Sequence, residues 1–185
     1  MLESVGEIGY EGTSVRTVLT RTQLYRQAFY DDFSSKEDCF LQAYDMGLDR
    51  VEARVRTAAA NETDWRGQLR AGLGALLDLL DSAPNIGRAL IVEVHPAGAA
   101  ALAKRAAAMQ RACDFLERAR LEAPGGDAPR IAGGAIAGGI HTAIYSRLTK
   151  PDGAELRPLL PEFMYFAVLP YFGADAARAE RARAR

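Results

Sequence analysis

Arg26 and Gln27 stand side by side in the stretch Tyr25-Arg26-Gln27-Ala28-Phe29-Tyr30, and theirs are the side chains whose shapes best fit base edges. A guanidinium fork pairs with O6 and N7 of guanine, and a carboxamide with N6 and N7 of adenine, when a helix carries them into a major groove. Tyr25 and Tyr30 flank the pair with hydroxyl-tipped rings, and Ser14 and Lys36 bracket the region. Lys36 opens a further helical segment, where an ammonium and unpaired helix amides together suit a phosphate. A second set, Trp65, Glu93, His95, Met109, Phe115, His141 and Tyr145, places rings and polar tips inside otherwise aliphatic stripes. Aromatic walls with a few converging polar groups are what a small-molecule pocket requires.

Catalytic chemistry has no comparable foothold. No nucleophile elbow, phosphate loop or dinucleotide fingerprint occurs, and the spacing Gly134-x-x-x-Gly138 suits close helix approach better than phosphate binding. His95 and His141 are the two histidines, and only Glu93 lies near either in sequence; Cys39 and Cys113 are too few and too far apart for a zinc site or a disulfide framework. The expectation is a protein that is not an enzyme, with no catalytic residues, no metal and no cofactor.

These side chains must be positioned by helices. Apolar residues recur at steps of three and four almost throughout, and alternation with period two never lasts. The fold class expected is all-α. Ser14 caps a helix from Val15 to about Thr22, Gln23-Leu24-Tyr25 turns, and a short helix runs from Arg26 to about Asp32. Val15, Val18, Leu24, Phe29 and Phe33 fall where a helix-turn-helix buries its contacts. A long helix should follow from Lys36 into Ala58-Ala59-Ala60, opened by a capping box of Ser34 and Glu37. Trp65, Leu69, Leu73, Leu76 and Leu80 mark the next, ended at Ala83-Pro84. Further apolar pieces span residues 86–94 and Leu102 to Leu116, the latter closed by Ala123-Pro124-Gly125-Gly126. Ile136, Ile140, Ile144 and Leu148 then stripe a helix that also carries four glycines, and each glycine needs a packing reason because it costs about 1 kcal/mol in a helix interior. Leu159 to Val168 form the last core helix, which Pro170 should end or kink, and residues 174–185 read as a frayed, solvated helix.

Composition narrows the partners. Hydrophobic residues make up 49% and charged residues 25% of 185, which is globular usage. The net charge of -1 supplies no bulk basic field, so DNA binding must come from local geometry. Only Lys36, Lys104 and Lys150 among the 23 basic residues are lysine, the usage of a GC-rich bacterial genome. The first residues lack a basic region followed by an apolar run, and residues 131–145 fall short of the roughly 20 apolar residues of a membrane helix. A cytoplasmic protein with no membrane partner is expected.

Gly9-Tyr10-Glu11-Gly12-Thr13-Ser14-Val15, then Phe29-Tyr30 and Phe33, then Ser35-Lys36-Glu37-Asp38, follow the order and spacing of the TetR family of bacterial transcriptional repressors. The sequence resembles that family over about its first 50 residues, and Leu169-Pro170-Tyr171-Phe172-Gly173 is similar to the ending of many members. The resemblance implies a three-helix helix-turn-helix domain at residues 1–45 and a helical ligand-binding and dimerisation domain at 46–185. It implies a double-stranded DNA operator, an unknown small-molecule effector and a homodimer. Ser14, Tyr25, Arg26, Gln27, Tyr30 and Lys36 would meet DNA; Trp65, Glu93, His95, Met109, Phe115, His141 and Tyr145 would line the effector site. Dimerisation would pair the helices of Ile136, Ile140 and Ile144 and of Phe163, Met164 and Ala167 into a four-helix bundle.

Departures from the family pattern support a second reading. Only eight residues precede Gly9, so either the first helix is short or the chain lacks its beginning. Gln23, Tyr25 and Gln27 replace small residues, and Asp31 and Asp32 stand late in the recognition helix. Residues 1–50 hold five basic and nine acidic side chains, a balance of -4, where phosphate neutralisation normally dominates affinity. The alternative is a dimeric small-molecule-binding protein with degenerate or lost DNA recognition.

Overall fold

Short polar side chains cap the starts of three helices of this chain, at Ser14, Ser35 and Asp64. Ser14 Oγ accepts from Thr17 N, Ser35 Oγ from Asp38 N, and Asp64 Oδ1 from Gly67 N, each satisfying an amide that the helix itself leaves unpaired. A computed structural model describes residues 1–125, 128–150 and 155–185, and all regular structure among them is helical. The α-helices are α1 Leu2–Ile8, α2 Val15–Thr22, α3 Arg26–Asp32, α4 Lys36–Ala59, α5 Trp65–Ser82, α6 Pro84–Ile91, α7 Ala99–Glu117, α8 Ala132–Leu148 and α9 Leu160–Arg183. The loop expected at Ala123-Pro124-Gly125-Gly126 has its last residue outside the described residues. No described helix is long and apolar enough to cross a membrane.

Two apolar cores organise the helices. Val5 of α1, Phe40 and Tyr44 of α4, Ala89 and Leu90 of α6, and Val94 beyond it form the first. The α1–α6 contact is backbone-close: a methyl built on Gly6 would overlap the carbonyl of Asn85. Trp65, Leu77, Ile136, Leu160 and Met164 lie in the second, which joins α5, α7, α8 and α9. Helix α4 is continuous through residues 45 and 46 and packs on α5, so the helix-turn-helix is carried on a rod rooted in the rest of the chain.

Several expectations need correction. Ser35, not Ser34, is the N-cap of α4. With Lys36 as its first residue the third helical position is Asp38, whose carboxylate receives Ser34 N and Oγ, so Glu37 takes no part. Leu24 is 54% exposed, because Gln23 adopts a left-handed conformation (φ 56°) and the turn points Leu24 outward. Ile136, Ile140, Ile144, Phe163, Met164 and Ala167 are all buried within the single chain, so they are not the surface left for a partner. On the outer side of α8 and α9 the apolar residues left exposed are Ile131, Phe166 and Leu169, and a Cβ built on Gly134 or Gly138 meets nothing within 4 Å among the described residues.

The tail is not frayed. Pro170 sits inside α9, and the break comes three residues later at Gly173, whose φ of 80° and ψ of 177° suit glycine. Beyond the break the chain packs back: Ala177 and Glu180 are fully buried, and Glu180 bridges Arg70 of α5 and Arg183.

Candidate nucleic-acid interface

The helix-turn-helix is assembled from a few contacts. Ser14 and Thr17 form a reciprocal box, Ser14 N donating to Thr17 Oγ1, so α2 begins where the chain leaves the Gly9–Thr13 turn. Val18 of α2 and Phe29 of α3 are buried, and Phe29 meets Phe33 at 5.2 Å between ring centres. Burying Phe29 leaves its neighbours outside. Tyr25 is 85% exposed and Tyr30 44%, and Arg26 and Gln27 are exposed beside them. The Arg26 guanidinium lies 5.4 Å from the Tyr30 ring centre, while Gln27 Nε2 donates to Asp31 Oδ1 at 2.9 Å. Tyr25, Arg26, Gln27 and Tyr30 therefore share one solvent-facing region of α3 and its entrance.

Two of the six DNA candidates have duties inside the protein. The Ser14 hydroxyl is engaged in the α2 cap. Lys36 Nζ donates to the carbonyl of Tyr10 at 3.0 Å and lies 4.1 Å from the Tyr10 ring centre, pinning the α1–α2 turn to the start of α4. A cation that sequence reasoning missed is Arg16. It is exposed in the first turn of α2 and has no carboxylate partner among the described residues. A cation at a helix N-terminus opposes the helix dipole, and that placement was the available signal for an external anion.

The seven effector candidates are not brought into one cavity. Trp65 is fully buried, its indole N–H donating to the Phe115 carbonyl at 3.0 Å and its ring stacked between Phe115 and Phe172, so both Trp65 and Phe115 are packing residues. Met109 packs partly buried against the same core. Glu93 faces the helix-turn-helix: its carboxylate accepts from Tyr10 N at 2.9 Å and Arg88 at 3.2 Å. His95, His141 and Tyr145 do come together, with Tyr145 6.0 Å from His95 and 6.5 Å from His141 between ring centres. Two open grooves lie elsewhere: one of about 570 Å³ among α4, α5 and α9, and one of about 520 Å³ between α4 and α7. Among the described residues no three His, Cys, Asp or Glu side chains converge as a metal site requires.

His141 makes the second cluster measurable. Burial first, then the Arg105 and His95 charges, push its pKa from 6.5 down to about 4. Between those values the unfolded chain binds a proton that the native state refuses, so stability is whole above about pH 6.5 and falls as pH drops toward 4. Denaturant titrations at about pH 7 and about pH 5 should show that loss, and His141→Phe should reduce it. An unaltered pH dependence in the variant would place the effect elsewhere.

Residues 2–43 match the sequence pattern of bacterial regulatory proteins, tetR family. An HTH-type transcriptional regulator of Bacillus subtilis, YezE, is 41% identical over 81 residues, a match spanning 42% of each chain. A tetR-family regulatory protein from Rhodococcus RHA1 superposes with a TM-score of 0.71 at 16% identity, covering 94% of both chains. PfmR, a TetR family transcriptional regulator from Thermus thermophilus, gives a TM-score of 0.61 at 21% identity, covering 99% of this chain and 95% of its own. Those two likenesses establish the shared fold. The sequence pattern of the tetR family thus lies on α1 to α4, where the helix-turn-helix is built, and the chain shares its fold along nearly its whole length with two tetR-family regulators.

Proposed function

We propose that the chain is a ligand-responsive transcriptional repressor that binds a palindromic operator as a homodimer in the cytoplasm. Residues 1–45 read DNA, and residues 46–185 bind an effector and pair with a second copy. The observation that carries this is the exposed group of Tyr25, Arg26, Gln27 and Tyr30 on α3, with Arg26 unpaired by any described carboxylate. A recognition helix presents base-reading side chains in that way, from residues near its N-terminus. Arg16 and the remaining N–H donors of Lys36 serve as phosphate contacts beside it. The test is operator affinity in two variants. Arg26→Ala should cost about 1–3 kcal/mol and relax preference at one base pair, while Arg16→Ala should weaken all sequences alike and lower the salt slope by about one unit. Unchanged affinity in both would remove α2 and α3 from the interface.

Pairing of two copies is proposed through the outer face of α8 and α9. Ile131 (75% exposed), Phe166 (44%) and Leu169 (37%) supply the apolar area, and Gly134 and Gly138 allow close backbone approach. A Cβ at Gly138 meets nothing within 4 Å among the described residues, so Gly138→Trp, with circular dichroism as its folding check, should raise the dimer dissociation constant more than about tenfold, or 1.4 kcal/mol. Sedimentation of both proteins checks this; a monomeric wild type at micromolar concentration would contradict it.

The second reading, a dimeric small-molecule-binding protein with degenerate or lost DNA recognition, is favoured by the local charge. The -4 balance of residues 1–50 is joined by the engagement of Lys36 with Tyr10. It predicts no sequence preference even at low salt.

A further inference from the structure

Arg105, midway along α7, is a guanidinium without a proper acceptor. Its only hydrogen-bonding neighbour among the described residues is His141, and the contact is poor. One amino nitrogen is shared between Nε2 at 3.2 Å and Nδ1 at 3.4 Å, long contacts to an imidazole that carries no negative charge to balance the guanidinium. Nε of Arg105 is buried and has no partner among the described residues. The carboxylates near this part of the fold are already taken: Asp45 by Lys104, Glu52 by Arg111, and Glu93 by Arg88 and the Tyr10 amide. A partly buried, always-charged fork is therefore left uncompensated, a costly arrangement that an external anion relieves.

The surroundings say which anion. His141 and Tyr145 stand one turn apart on α8 with their rings near parallel, and His95 meets Tyr145 edge-on from the turn after α6. A guanidinium fork pairs bidentately with the two coplanar oxygens of a carboxylate, and the ring faces beside it favour an apolar or aromatic body over a hydrated inorganic ion. We propose that Arg105 anchors a small organic carboxylate, with Tyr145 and His141 as flanking hydrogen-bonding groups and His95 at the mouth. This deepens the ligand-responsive reading above and rests on it for its regulatory consequence. His95 is two residues from Glu93, whose carboxylate holds the Tyr10 amide in the turn between α1 and α2. An occupant that moves His95 thus acts on the turn that carries the helix-turn-helix.

The test titrates the full-length protein with benzoate, octanoate and inorganic phosphate at matched ionic strength, following the Arg105 Nε–H and the His141 and His95 ring resonances by NMR. Saturable shifts with either carboxylate are expected, weakened more than about tenfold in Arg105→Met, partly restored in Arg105→Lys, and unchanged in Arg111→Met. Arg111→Met removes an ion-paired arginine of the same helix and serves as the folding and charge control. Equal carboxylate binding in wild type and Arg105→Met, no saturable shift up to tens of millimolar, or saturation by phosphate alone would each overturn the proposal. Operator release is measured in the same samples. Carboxylate binding at Arg105 without operator release upholds the site and defeats the ligand-responsive reading. Release by a neutral compound that persists in Arg105→Met does the reverse.

Discussion

Gly6→Ala is expected to destabilise the protein by about 1–3 kcal/mol, a range set by overpacking at a contact that cannot yield easily. The added methyl meets the carbonyl oxygen, carbon and Cα of Asn85, all backbone, so no side-chain rotation relieves the overlap. Helix α6 cannot retreat cheaply, since Ala89 and Leu90 are buried behind it and Pro84 fixes its first turn. The remaining escape is for α1 to lift away. Seven residues make no stable helix alone, and Val5, fully buried in the first core, would leave with it. Denaturant unfolding should show a lower midpoint at unchanged slope. Operator affinity should fall too, because α1 leads directly into the turn that Glu93 and Lys36 hold. An unaltered midpoint would mean that α1 and α6 do not meet as described.

Trp65→Ala is expected to cost about 3–5 kcal/mol, the range for truncating a buried large aromatic. The side chain is 1% exposed, touches Phe115, Tyr171 and Phe172, and donates its N–H to the Phe115 carbonyl. Trp65→Phe retains much of the area and forfeits that hydrogen bond, so the loss should be smaller. Because Trp65 is the sole tryptophan, circular dichroism is the appropriate probe. A variant as stable as wild type would return Trp65 to the role of a pocket wall.

Local signals in the sequence were read where the physics is local. Ser14, the Gln23-Leu24-Tyr25 turn and Phe29 place α2 and α3 at the bounds observed, since a cap, a turn and one buried ring are decided within a few residues. The lengths of α4 and α5 follow from their stripes in the same way. What escaped was decided by distant partners. Periodicity marks Ile136, Ile140 and Ile144 as one apolar face of α8, and it says nothing about whether α5 and α9 or a second copy covers that face. Glu180 is separated by 110 residues from the Arg70 that makes the tail a packed helix. Lys36 looked free for a phosphate because the Tyr10 carbonyl that holds it lies 26 residues earlier. Trp65 and Tyr145 share a mixed polar and aromatic character, yet one fills a core and the other borders the unpaired Arg105 cluster.

Selection from a random duplex library with the full-length protein, at low and at near-physiological salt, tests the central claim most directly. The account predicts an enriched approximate palindrome whose half-sites lie about 34 Å apart, one helical turn, read by two copies of α3. Affinity should fall with salt, and the same selection with Arg26→Ala should lose preference at one position in each half-site. Absence of any enriched sequence at low salt, or an identical enriched site with Arg26→Ala, would contradict it.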